Sequence, residues 1–80
     1  MLSKENFEKM NRVSKEKGFK SFLTTSIEVN EEESIETAEI QAVYENHERK
    51  TVLSKKGVAG EVMDELDAMI DDFYNEEIEE

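Results

Sequence analysis

The period of the apolar residues changes along the chain, from three or four residues to two and back again, and this limits the fold more than any other feature. Near the C-terminal end, Val62, Leu66, Met69, Ile70 and Phe73 follow the i, i+4, i+7, i+8, i+11 template of an amphipathic helix, expected over residues 58–75. Ala59, Met63 and Tyr74 fall on the same arc. Glu61, Asp64, Glu65, Asp67, Asp71 and Asp72 fall on the other side. Glu77 would return to the apolar arc, so fraying is expected near residue 76. At the opposite end, Phe7, Met10 and Val13 share a face with Leu2 and mark a helix over 3–17. Ser3 suits its N-cap and Gly18 the position after its last turn. Glu5 with Lys9 and Glu8 with Arg12 form i,i+4 pairs in the favourable orientation.

Between the helices the period falls to two. Residues 19–30 place Phe19, Leu23, Ile27 and Val29 at odd positions and Lys20, Thr24, Ser26, Glu28 and Asn30 at even ones, the pattern of a half-buried strand. Phe22 stands on the wrong face of that strand and either covers the back of the sheet or marks an interface. Residues 35–45 form a second strand, with Ala38, Ile40, Ala42 and Tyr44 on one face. A short third strand over 50–54 carries Val52 and Leu53. The turns at 30–34 and 45–49 are short enough to impose antiparallel hairpins. The expected architecture is α+β: a small single domain of order α-β-β-β-α, with a three-stranded antiparallel sheet and both helices packed on one face. The domain is expected over 1–75, with 76–80 an acidic frayed tail.

A chain of 80 residues has room for one core, and this one has no Cys, so neither a disulfide nor thiolate zinc can reinforce it. The lack of Cys agrees with a cytoplasmic location. No apolar run is long enough to span a membrane, and residues 1–11 lack the apolar region of a secretory signal. With 21 acids and 10 bases, the net charge of −11 repels nucleic acid and anionic lipid and attracts basic surfaces. The charge comes in blocks: +3 over 1–20, −7 over 21–46, +3 over 47–60 and −10 over 61–80.

The C-terminal helix is the most informative block. Glu61 with Glu65 and Asp67 with Asp71 are like-charge i,i+4 pairs, and acids also crowd the negative end of the helix dipole. The plain reading is a solubilising face. The functional reading is a docking surface for a basic partner, carried by Asp64, Glu65, Asp67, Asp71 and Asp72, with Glu31, Glu32 and Glu33 at a hairpin tip in support. Acids three or four residues apart lie roughly 5–6 Å from one another. That approximates the spacing of successive phosphates, so the row can mimic a nucleic acid strand in a Lys/Arg groove. In size, charge and layout the chain resembles small acidic phage-encoded inhibitors of nucleic-acid enzymes, some anti-CRISPR proteins among them. That resemblance implies inhibition by mimicry and assigns no residue.

Other chemistry is weakly signalled. Arg49, Lys50, Lys55 and Lys56 lead into a Gly57-Val-Ala-Gly60 stretch at an expected helix start, where an anion can bind. The plainer reading is a strand-to-helix turn capped by Ser54, with the lysines paired to the acidic helix. The Walker A and EF-hand patterns are absent, and His47 lies in a polar turn. No nucleophile–base pair, metal set or cofactor motif is visible, so the expectation is a non-enzymatic protein without metal or cofactor. Its expected partner is a basic protein surface, of a nucleic-acid-binding enzyme for instance. The alternative is a small homo-oligomeric structural or assembly protein, a homodimer for instance, with an exposed sheet edge or Phe22 as the seam. Direct nucleic-acid binding through 49–56 is disfavoured by the net charge.

Overall fold

In the computed structural model, which describes residues 2–78, the chain runs α1 (Lys4–Lys17), β1 (Phe19–Val29), β2 (Ser34–Tyr44), β3 (Arg49–Val58) and α2 (Val62–Glu77). The three strands form an antiparallel meander with β2 in the centre, and both helices lie on one face, as the periodicity requires.

Local chemistry sets most boundaries. Ser3 caps α1, its Oγ accepting from the Asn6 N–H at 3.1 Å. Gly18 ends the helix at φ 80°, a left-handed conformation that costs glycine little, and its N–H donates to the Ser14 carbonyl. In the first hairpin, Asn30 Oδ1 accepts from the N–H groups of Glu32 and Glu33, which closes the turn locally. In the second, His47 takes φ 68° and its N–H donates to the Tyr44 carbonyl.

Three boundaries depart from expectation. β3 extends to Val58, so Ser54, Lys55, Lys56 and Gly57 are strand residues and Ser54 is no cap. Gly57 fits there because the start of α2 packs against it, with Val62 Cγ2 3.4 Å from where a Cβ would stand. α2 therefore starts at Val62, with Glu61 as an N-cap whose side chain makes no capping bond. It also continues through the expected fraying point to Glu77, whose carboxylate reaches Lys17 Nζ at 3.5 Å. Residues 79 and 80 of the expected tail lie outside the described residues.

The core forms where the helices cross the middle of the sheet. Met10 and Val13 from α1, Ala38, Ile40 and Ala42 from β2, and Val62, Leu66, Ile70 and Tyr74 from α2 are buried. Burying a side chain such as Leu66 or Ile70 contributes about 1.5–3 kcal/mol. A bulge between Ile40 and Gln41 pairs Ile40 with Leu53 and Gln41 with Thr51. Val52 is thereby left as the extra residue, and both Val52 and Leu53 pack against the core.

Coverage of β1 is incomplete. Its odd positions lie on the helix face, as expected, yet Ile27 is 58% exposed and Val29 75%. Phe7, on the same face of α1 as the buried Met10 and Val13, is 57% exposed. Lengths explain the exposure of Ile27 and Val29: α1, with 14 residues, spans about 21 Å, whereas β1, with 11, spans about 37 Å. The far half of β1 has no helix above it. The other face of the sheet carries mostly polar residues, and Phe22 projects there, 51% exposed.

Candidate functional site

The acids expected to form one row are divided by the packing of α2 against α1. Leu66 and Ile70 point into the sheet, which turns Asp67 and Asp71 toward α1. Asp67 Oδ1 accepts from the Ser3 backbone N–H at 2.8 Å and from Ser3 Oγ at 3.3 Å, while the Asp67 carbonyl accepts from Asn6 Nδ2 at 2.8 Å. Asn6 is buried, so this bond satisfies an amide that would otherwise be stranded. Asp71 accepts from Lys9 Nζ at 2.8 Å. One turn on, Arg12 Nη1 donates to Tyr74 Oη at 2.6 Å, and both Lys9 and Arg12 lie over the Tyr74 ring, 5.5 and 5.8 Å from its centroid. Asp67 and Asp71 thus hold α1 to α2.

Glu65, Asp72 and Glu76 face away from α1 toward β3, and Asp64 is exposed on the outer surface. Glu65 reaches Lys55 at 3.8 Å across exposed side chains, a contact of small energetic weight. Asp72 and Glu76 have no hydrogen bond or ion pair among the described residues. They are i,i+4 neighbours with about 6 Å of helix rise between them, and the last turn of α2 has no base. Glu31, Glu32 and Glu33 lie at the same end of the molecule as the start of α2, because the Ala59 N–H donates to the Ser34 carbonyl at 3.0 Å. The Gly60 N–H also donates to Glu36 Oε1, at 3.4 Å.

The basic segment does not converge on a helix start. Lys55 pairs across from Ala38 on the helix face, whereas Lys56 pairs across from Thr37 on the opposite face. The residue capping α2 is itself an acid. His47 is exposed in its turn. Among the described residues, no group of three or more His, Asp or Glu is placed to hold a metal ion, and no helix is long and apolar enough to cross a membrane.

Sequence reasoning missed Ser3, Asn6, Lys9 and Arg12 as the residues that engage the acids and Tyr74. One signal was present: Asn6 and Ser14 occupy the same arc of α1 as Met10 and Val13, so polar groups at core positions require partners. Comparison with protein-family models, curated proteins and solved structures finds no match to the chain.

Proposed function

We propose that the protein is a non-enzymatic interaction protein that uses the outer surface of α2 to occupy a basic surface on a larger partner. The partner class that fits a row of carboxylates is a nucleic-acid-binding enzyme, with the row standing in for backbone phosphates. One observation carries the reading. Between Val62 and Glu77 the helix holds Asp64, Glu65, Asp67, Asp71, Asp72, Glu76 and Glu77 and no base, although like charges and the helix dipole both oppose this. α1 in the same chain carries ion pairs at 3.8 Å (Glu5 with Lys9) and 3.5 Å (Arg12 with Glu16), so the imbalance is particular to α2.

Internal use of Asp67 and Asp71 narrows the docking set to Asp64, Glu65, Asp72 and Glu76, with Glu31, Glu32 and Glu33 beside the start of the helix. A fold-preserving test follows. The variant D72K/E76K removes exposed acids that hold nothing, whereas reversing Asp67 or Asp71 would damage the packing. The reading expects wild-type protein to capture basic nucleic-acid-binding proteins at low salt, duplex DNA to release them, and folded D72K/E76K to lose them. Equal capture by the variant, or capture indifferent to DNA and salt, overturns it. Self-association is a second reading, favoured by the uncovered edge of β1.

A further inference from the structure

The sheet has two edges, and they differ in how they are protected. The β3 edge carries Arg49, Lys50, Lys55 and Lys56 and lies next to a bulge, the devices that keep strands from pairing with their own copies. The β1 edge has one base, Lys20, balanced by one acid, Glu28, and no bulge. It is 11 residues long, regularly paired to β2 along its whole length, without Gly, Pro or bulge, and exposes Leu23, Ile27 and Val29.

We infer that β1 is the seam of a homodimer, in which a second copy pairs antiparallel to it about a two-fold axis between the two Thr24 residues. The charge pattern selects this register. β1 holds one base and one acid, Lys20 and Glu28, placed symmetrically about Thr24, so full overlap of the strands sets Lys20 opposite Glu28 of the partner subunit at both ends. The seam is neutral in a chain of net charge −11, so the general repulsion between copies is weakest there. Beyond the strands, the acidic tip with Glu31, Glu32 and Glu33 is carried toward the end of the partner's α1, where Lys15 and Lys17 close the helix.

The apolar residues agree with the same register. Antiparallel partners share a face, so both helix layers fall on one side of a six-stranded sheet. The partner's Ile27 then stands opposite Ser21, at a pocket of about 120 Å³ lined by Leu2, Phe7, Met10, Ser21, Leu23 and Ile40. Leu23 lies diagonal to the partner's Leu23 and to the partner's Ile27, within reach of contact. The half of β1 that α1 is too short to cover is covered by the second copy. Full overlap gives about ten main-chain hydrogen bonds, the number a typical specific interface carries.

Sedimentation of the full chain tests this independently of the acidic helix. The wild type is expected to be a dimer at micromolar concentration that survives high salt, because main-chain bonds and apolar contacts hold most of it. T24K sets two like charges face to face on the axis and should give a folded monomer, with far-UV circular dichroism confirming the fold. K20E and E28K each oppose like charges at both ends of the seam and should weaken self-association about tenfold. Mixing the two variants restores opposite charges at both positions and should recover a mixed dimer. A monomeric wild type up to millimolar concentration overturns the proposal. So does a dimer that K20E and E28K leave unchanged, or a mixture no tighter than its components.

Discussion

Two aspartates on one helix, five residues apart, are expected to respond in opposite directions to the same substitution. Asp67→Ala removes a carboxylate that accepts from Ser3 N–H at 2.8 Å and from Ser3 Oγ at 3.3 Å. Hydrogen bonds to a charged acceptor contribute about 1.5–3 kcal/mol each when sheltered, and this exposed pair together contributes about 1.5–2.5 kcal/mol. Alanine returns about 0.5 kcal/mol in helix propensity, leaving a net loss of about 1–2 kcal/mol. Asp72→Ala gains the same propensity and removes no hydrogen bond or ion pair among the described residues. It also relieves an i,i+4 repulsion with Glu76 and a negative charge near the negative end of the dipole, for a net gain of about 1 kcal/mol. For a domain of this size, 1 kcal/mol shifts Tm by about 4–8 °C. Thermal unfolding followed at the helical circular dichroism band should place D67A about 5–15 °C below the wild type and D72A about 4–8 °C above it. If D67A melts no lower than D72A, the assignment of Asp67 to holding the fold and of Asp72 to a solvent-facing position is wrong.

Two further perturbations probe the rest of the fold. Leu66→Ala empties the centre of the core and should cost about 2–5 kcal/mol, a large part of the roughly 4–12 kcal/mol available to a domain of this size. A urea midpoint that stays put would show that Leu66 is not where the helices meet the sheet. Gly18→Ala meets open space but keeps a left-handed φ of 80°, so it should lose about 1–2 kcal/mol through backbone strain alone, read as a lower Tm with unchanged helix content.

Much of this was legible because local signals and the global fold agree. Ser3 and Gly18 bound α1 through cap chemistry that acts over three or four residues, and the switch of period assigns β1 and β2 their inward faces. Period reports orientation only, however. Leu23 and Ile27 face the helix side as their spacing says, and whether a helix lies above them depends on the relative lengths of α1 and β1. β3 was read four residues short because Lys55, Lys56 and Gly57 look like turn residues. They are strand residues because Glu36 and Thr37 of β2 pair with Gly57 and Lys56. The acidic face was legible as chemistry but its division was not, since Asp67 and Asp71 differ from Asp72 only in being turned toward Ser3 and Lys9 of another element.

The flank of α2 turned away from α1 is expected to dock on positive charge, and amide shift mapping reads this residue by residue. Titrating the labelled full chain with a short Arg- and Lys-rich peptide should move the amide signals of Asp64, Glu65, Asp72 and Glu76, with those of Glu31, Glu32 and Glu33 following. It should leave the signals of Phe22, Gln41 and Val43 on the far side of the sheet in place, and the movement should vanish in D72K/E76K. Shifts spread evenly over all exposed acids, or shifts that persist unchanged in D72K/E76K, would contradict the claim and leave the acidity of α2 as solvation alone.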